Sequence, residues 1–275
     1  MKKLVLGAFS ALFLVASCTA PAPLKVMSYN IRYGTADDGV YSWPNRQDAA
    51  VAMIEDQRPA VFGVQEGLRF QLEFIAEKCP EYQYVGVGRE DGEERGEHMA
   101  VFYDTTRVDL KDWGTYWLSE TPDEPSKGWD AACKRTATWT LLYDKKTDKH
   151  FYFVDTHLDH VGEVAREKGL ALVVERIGAM NPENYPMILL GDFNVFPDDP
   201  CLAGLRAVMT DAREVAPVTS NERTYHGYGT VEKAPIDYIF YSGFSGCEEF
   251  ARVTKPYLEC PYVSDHYPVT AVLKY

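Results

Sequence analysis

Six short stretches of the chain place carboxylates, amides or imidazoles where an apolar run stops or starts. Val26-Met27-Ser28-Tyr29 ends in Asn30, and Val61-Phe62-Gly63-Val64 ends in Gln65-Glu66. Phe151-Tyr152-Phe153-Val154 runs into Asp155-Thr156-His157, and Met187-Ile188-Leu189-Leu190 into Gly191-Asp192-Phe193-Asn194. Asp237 opens the run Tyr238-Ile239-Phe240, and Ser264-Asp265-His266 opens the last one. Taken singly, each has a structural explanation. Glu66 suits the start of a helix, His157 a core position, and Asp192 with Asn194 an Asx-turn. Six of them together exceed what a fold needs, because carboxylates buried without partners cost free energy.

The residue types narrow the chemistry. The chain has no Gly-rich phosphate loop, no Cys/His zinc spacing and no serine nucleophile elbow. Carboxylates, Asn and His converging from separate strands suit a hard divalent cation with oxygen ligands. Magnesium takes one or two carboxylates, keeps several waters and binds substrate phosphate. The remaining groups would then position a water and stabilise phosphoryl charge. Mg²⁺ is the expected cofactor, with Mn²⁺ as the alternative.

Asn30, Gln65-Glu66, Thr156-His157, Gly191-Asp192-Phe193-Asn194, Ile236-Asp237-Tyr238 and Ser264-Asp265-His266 occur in an order that resembles the endonuclease/exonuclease/phosphatase (DNase I-like) superfamily, over residues 26 to 273. The resemblance implies a four-layer α/β sandwich and metal-dependent phosphoester hydrolysis. It implies that Glu66 binds the metal, with Asn30 and Asp265 beside it. Asp192 would orient or deprotonate the attacking water, and Asn194 would hold the scissile phosphate. Asp237 would pair with His266, while His157 and His266 stabilise the transition state. Arg32 stands where many nucleases of the superfamily carry an acid, and it is read as a substrate-phosphate contact. Lys134 and Arg135, before a strand, are read the same way. The segments Gly86–Gly92 and Glu97–Tyr103 resemble deadenylase-like and secreted bacterial members, and are expected to shape the pocket. Trp43, Trp113, Trp117 and Trp129 are open between pocket lining and core packing.

The elements that must position these residues are mostly strands. Strands are expected at 25–31, 60–64, 82–87, 99–103, 115–118, 136–143, 150–156, 187–190, 236–241 and 267–273. Asp144–Lys149 reads as a hairpin connection. Helices are expected at 45–55, 68–78 and 163–180, the last with Leu170, Val173, Val174 and Ile177 on one face. Several connections are too short for a parallel crossover. The expected architecture is therefore α/β: two mixed sheets packed face to face with helices outside.

Composition bounds the rest. The chain has 275 residues, 46% of them hydrophobic, which suits one large folded domain. Lys2 and Lys3 precede an apolar stretch from Leu4 to Ala16, too short to span a bilayer comfortably, which reads as an export signal. Val15-Ala16-Ser17-Cys18 resembles a bacterial lipobox. The expected organisation is a signal peptide over 1–17, a tether over 18–24 and a catalytic domain over 25–275. Cys18 would carry a lipid and anchor a monomer in the cell envelope. The other five cysteines read as buried or incidental thiols rather than a disulfide framework, with Cys247 and Cys260 the first pair to test. Net charge is −13, moving to −15 once Lys2 and Lys3 are removed with the signal. That balance disfavours nucleic acid as the main partner, since such binding comes mainly from Lys and Arg. A small or medium phosphorylated molecule, or a lipid headgroup, is the expected substrate. The alternatives are a nuclease on DNA or RNA, and an inactive binding lipoprotein.

Overall fold

The computed structural model describes residues 22–231 and 235–275. The expected signal peptide, Cys18 and most of the tether lie outside the described residues. Among the described residues, no helix is long and apolar enough to cross a membrane.

Among the described residues, thirteen strands form two sheets. The first holds β1 (Leu24–Asn30), β2 (Val61–Gly67), β3 (Tyr82–Val85), β4 (His98–Asp104), β10 (Val218–Thr219), β12 (Gly246–Arg252) and β13 (Val269–Lys274). The second holds β5 (Val108–Trp117), β6 (Thr136–Asp144), β7 (Lys149–His157), β8 (Met187–Asp192), β9 (Thr210–Asp211) and β11 (Asp237–Ser242). Both are mixed: β1 runs parallel to β2 and β7 to β8, while β13, β4, β6 and β11 pair antiparallel. Three long helices complete the layers: α1 (Trp43–Gln57), α2 (Arg69–Lys78) and α3 (Glu163–Met180). The four-layer α/β sandwich is as expected.

Three apolar layers hold these parts together. Met27, Tyr29, Phe62 and Val64 face α1 and α2, packing on Met53, Ile54, Leu72 and Ile75. Tyr152, Val154, Leu189 and Phe240 face α3, packing on Leu170, Val173 and Ile177. Between the sheets lie Leu24, Val26, Val61, Phe151, Phe153, Ile188, Leu190 and Ile239. Strand side chains alternate faces with a period of two. The inter-sheet row therefore continues along each strand as Ser28 and Asn30, Gln65, Asp155 and His157, Asp192, and Asp237. One end of the middle layer is greasy and the other is polar, and the polar end is where the predicted residues meet.

Several boundaries differ from expectation. Leu24, assigned to the tether, is fully buried at the start of β1. β5 is ten residues long, because Lys111 and Asp112 lie at an irregularity that hides the alternation. β12 was not anticipated. Its register shifts between Cys247 and Glu249, which breaks the period-two pattern. Cys247 and Cys260 are both free thiols, in line with the reading of the cysteines as buried or incidental thiols.

Asp155 is fully buried in the inter-sheet row. Gln65 donates to it from Nε2 at 2.5 Å, while its Oδ2 has no partner. A Cβ on Gly63 would overlap this carboxyl, so the glycine makes its room. Burial holds the Asp155 carboxyl well above the usual carboxylate range, outweighing the Gln65 hydrogen bond. A raised folded value means tighter proton binding in the folded state. Its stabilisation is full below the unfolded value and is lost as pH rises through the folded one. Asp155→Asn should therefore melt a few degrees higher than the parent at pH 8, and the two should converge toward pH 4. A less stable variant at pH 8 would contradict this.

Candidate active site

Asp192, the last residue of β8, sits at the centre of the polar end with 2% exposure. Its Oδ2 accepts from Asn30 Nδ2 at 3.1 Å, and lies 3.4 Å from His157 Nε2 and 3.7 Å from His266 Nε2. Its Oδ1 accepts from the Asn194 backbone N–H at 3.0 Å. Strand register explains the meeting. His157 on β7 and Asp237 on β11 are both paired with Asp192. Gly191 permits this, since its φ of 145° and its closeness to the Thr156 carbonyl leave no room for a Cβ.

Glu66 reaches the site by a different device. At position 66 the period of β2 would turn the side chain toward the helices, with Phe62 and Val64. A register irregularity between Val64 and Gly67, with φ of 62° at Glu66, re-aims it. Its carboxylate then accepts from Asn30 Nδ2 at 3.0 Å and from the Tyr33 backbone N–H at 3.0 Å. Arg32 and Asn194 also hold left-handed backbone, at φ 61° and 53°. Sparsely populated backbone of this kind collects at functional sites.

His266 donates from Nδ1 to Asp237 Oδ2 at 2.9 Å, the pairing expected from the sequence. Burial pulls its pKa down, but the charges of Asp237 and Asp192 outweigh that and raise it to about 10, so it is protonated at neutral pH. His157 is its electrical opposite. Burial first, then the guanidiniums of Arg135 and Arg89, push it well below the usual range, so it is neutral. His157 therefore stands beside Asp192 as a neutral hydrogen-bonding group, whereas His266 brings charge. Asn194 donates from Nδ2 to His157 Nε2 at 3.0 Å and to the Leu158 carbonyl at 3.1 Å. Burial, then the nearby Asp237, raises the Asp192 carboxyl above the ordinary range.

These groups line a cleft of about 420 Å³. Arg32, Glu66, Arg135, His157, Asp192, Asn194, Asp265 and His266 all reach it. Arg32 is gripped by Asp38 through bonds of 3.0 and 2.9 Å and stands 3.8 Å from Asp265. Arg135 is held by Asp159 at 3.3 Å and meets His160 Nδ1 at 2.9 Å. Lys134 is not among the lining residues, which corrects its assignment as a phosphate contact. Its ammonium sits on the Glu90 carbonyl at 2.8 Å, because adjacent residues of an extended segment point to opposite sides. None of Trp43, Trp113, Trp117 and Trp129 lines the cleft. Arg89 and Glu97, from the segments expected to shape the pocket, do, and so do Cys133, His160 and Tyr225, which sequence reasoning did not single out.

Among the described residues, three groups of side chains lie close enough to share an ion. In one, Asp192, Asp237 and His266 already satisfy each other as a salt bridge. In another, Asp159 is committed to the backbone N–H groups of Ala132, Cys133, Val161 and Gly162. The third, Glu66 with His157 and Asp192, opens on the cleft and offers carboxylate oxygens, the donors a hard cation prefers.

The model of the endonuclease/exonuclease/phosphatase family matches residues 27–266, from the first strand to the second active-site histidine. The chain belongs to this family. It is similar to a solved mannosyl-6-phosphatase of Bacteroides thetaiotaomicron, with 34% identity, a TM-score of 0.87, and coverage of 92% of this chain and 100% of that one. It is equally similar to an endonuclease/exonuclease/phosphatase protein of Bacteroides vulgatus, at 34% identity and a TM-score of 0.86, covering 92% and 99%. An uncharacterized mimivirus protein, L388, is 31% identical over 62% of this chain and 67% of its own length. Family and neighbours mark the chain as a phosphoester hydrolase, and enzymes of this family are generally dependent on divalent metal.

Since Asp237 is what keeps His266 charged, Asp237→Asn should lower the His266 pKa. An NMR titration of the imidazole would show the midpoint fall from about 10 toward the ordinary histidine value. An unchanged midpoint would contradict the pairing.

Proposed function

We propose that this protein hydrolyses phosphate monoesters of small polyhydroxylated molecules, with Mg²⁺ as cofactor and Mn²⁺ as substitute. The observation that carries the reading is the buried Asp192 carboxylate, flanked by one charged and one neutral imidazole and set beside Glu66. The 34%-identical mannosyl-6-phosphatase supports a sugar phosphate as the substrate class. The acidic balance of the chain, 41 Asp and Glu against 28 Lys and Arg, argues against a nucleic acid.

Glu66 would hold the cation, with Asn30 fixing its carboxylate and Asp265 nearby. A hard cation there supplies positive charge to the phosphoryl and leaving oxygens. Asp192 takes a proton from the attacking water as the new O–P bond forms, a task its raised pKa suits. Protonated His266 donates to an equatorial phosphoryl oxygen, where charge develops. Neutral His157 accepts from Asn194 at Nε2 and so helps hold that amide beside the cleft. Arg135 faces the same cleft and binds a phosphate oxygen. The bond to the leaving oxygen then breaks, and that oxygen takes a proton from solvent.

We further propose that the mature protein is a monomer anchored in the bacterial cell envelope through Cys18. The charged start, the short apolar stretch and Val15-Ala16-Ser17-Cys18 support this.

Purified protein should release inorganic phosphate from mannose 6-phosphate with Mg²⁺. Release should stop with EDTA and return when Mg²⁺ is added in excess. Asp192→Asn and His266→Gln should each lower kcat by about 10³-fold while circular dichroism shows the parent fold. Turnover that survives EDTA, or near-parent kcat in both variants, would sink the reading.

A further inference from the structure

Arg89 and Glu97 line the cleft, yet they belong to none of the strand-end clusters that carry the chemistry. They lie on the connection between β3 and β4, and the construction of that connection is elaborate. The Arg89 N–H donates to the Glu97 carbonyl at 3.0 Å, and the Glu90 N–H to the Arg95 carbonyl at 3.0 Å. Asp91 accepts from the N–H groups of Glu93 and Arg95. A Cβ on Gly88 would strike the backbone of Arg95, and Gly96 holds φ of 86°. Two side chains from elsewhere pin the backbone: the Trp117 indole N–H donates to the Arg89 carbonyl at 2.8 Å, and the Lys134 ammonium to the Glu90 carbonyl at 2.8 Å. A surface loop needs none of this bracing. It fixes the position of two side chains.

Those side chains form a close pair, Arg89 Nη1 to Glu97 Oε2 at 2.7 Å, with side-chain exposures of 11% and 16%. Arg89 Nε is buried without a hydrogen-bond partner, and the nearest carboxylate oxygen, on Glu90, is 3.6 Å away. Burial raises the Glu97 pKa, with the neighbouring Glu66 adding to it against the pull of Arg89. The pair therefore borders the catalytic centre, carries no net charge, and presents a donor fork beside acceptor oxygens.

We infer that the Arg89–Glu97 pair is the subsite for the leaving group, and that the group it fits carries neighbouring hydroxyls, as a hexose does. This rests on the hydrolytic reading above. A hydroxyl both donates and accepts, so two adjacent ones can give protons to Glu97 and take them from Arg89. A phosphate oxygen fits worse, because the Glu97 carboxylate repels it. An apolar leaving group fits worse too, because it strips water from the pair and returns no hydrogen bond. Trp117 and Lys134 act as positioning residues for the pair, which is the role the structure leaves for Lys134.

The test compares mannose 6-phosphate with p-nitrophenyl phosphate under Mg²⁺, and measures competitive inhibition by inorganic phosphate. Glu97→Ala should lower kcat/KM for mannose 6-phosphate by about 10²-fold, while kcat/KM for p-nitrophenyl phosphate changes by less than about 3-fold. The inhibition constant for phosphate should stay unchanged. The double variant Arg89→Ala/Glu97→Ala leaves neither partner charged and unpaired, and should lose the same selectivity. Lys134→Met should raise KM for the sugar phosphate and leave kcat near the parent value. Equal losses on both substrates, or weakened phosphate inhibition, would place the pair in the phosphate machinery and overturn the inference alone. So would an unchanged substrate ratio in folded variants. A parent protein that hydrolyses neither compound would remove the reading beneath it as well.

Discussion

The hydrogen bond from Asn30 to Asp192 joins the ends of two sheets that otherwise meet mainly through apolar side chains, with Gln65 to Asp155 a further polar link. Asn30 ends β1 in the first sheet, and Asp192 ends β8 in the second. A buried carboxylate costs several kcal/mol unless its oxygens are satisfied. Here one oxygen takes the Asn30 amide and faces two imidazoles, and the other takes a backbone N–H. Those partners come from two strands and two loops. The polar end of the middle layer can form only when both sheets are in register and face to face. The same amide also bonds Glu66, so the contact that closes the sandwich places the second carboxylate of the cleft.

Charge is divided unevenly within this end. Asp237 secures a proton on His266, whereas His157 is denied one by burial and by Arg135 and Arg89. Two imidazoles flanking one carboxylate thus have different tasks. One brings a fixed positive charge, and the other brings a neutral, oriented hydrogen bond. The arginines of the cleft are themselves braced by acids, Arg32 by Asp38, Arg89 by Glu97 and Arg135 by Asp159, so the cleft presents fixed guanidinium forks whose charge is balanced by carboxylates.

What was legible in the sequence follows from the strand period. Apolar runs ending in Asp, Asn or His read clearly, because burial and alternation act on every residue of β1, β7, β8 and β11. The left-handed kink that turns Glu66 inward leaves no periodic mark, and the family motif found it where the pattern would have faced it outward. Lys134 and Arg135 look alike as neighbours, and only the direction of each side chain separates a loop brace from a cleft residue. β12 stayed hidden because its bulge breaks the alternation. Arg89 and Glu97 were unreadable as a pair, since the hairpin-like turn that joins them is built from glycines and backbone bonds rather than from a hydrophobic pattern.

The central claim is that Glu66 and Asp192, brought together through Asn30, share a hard cation site at the mouth of the inter-sheet layer. The most direct measurement is an anomalous difference map from a crystal soaked in Mn²⁺. The account predicts one strong peak in contact with the Glu66 carboxylate, on the side facing Asp192, and its disappearance in Glu66→Gln crystals soaked the same way. A cleft without a peak, or a peak held only by Asp159 and His160, would contradict it.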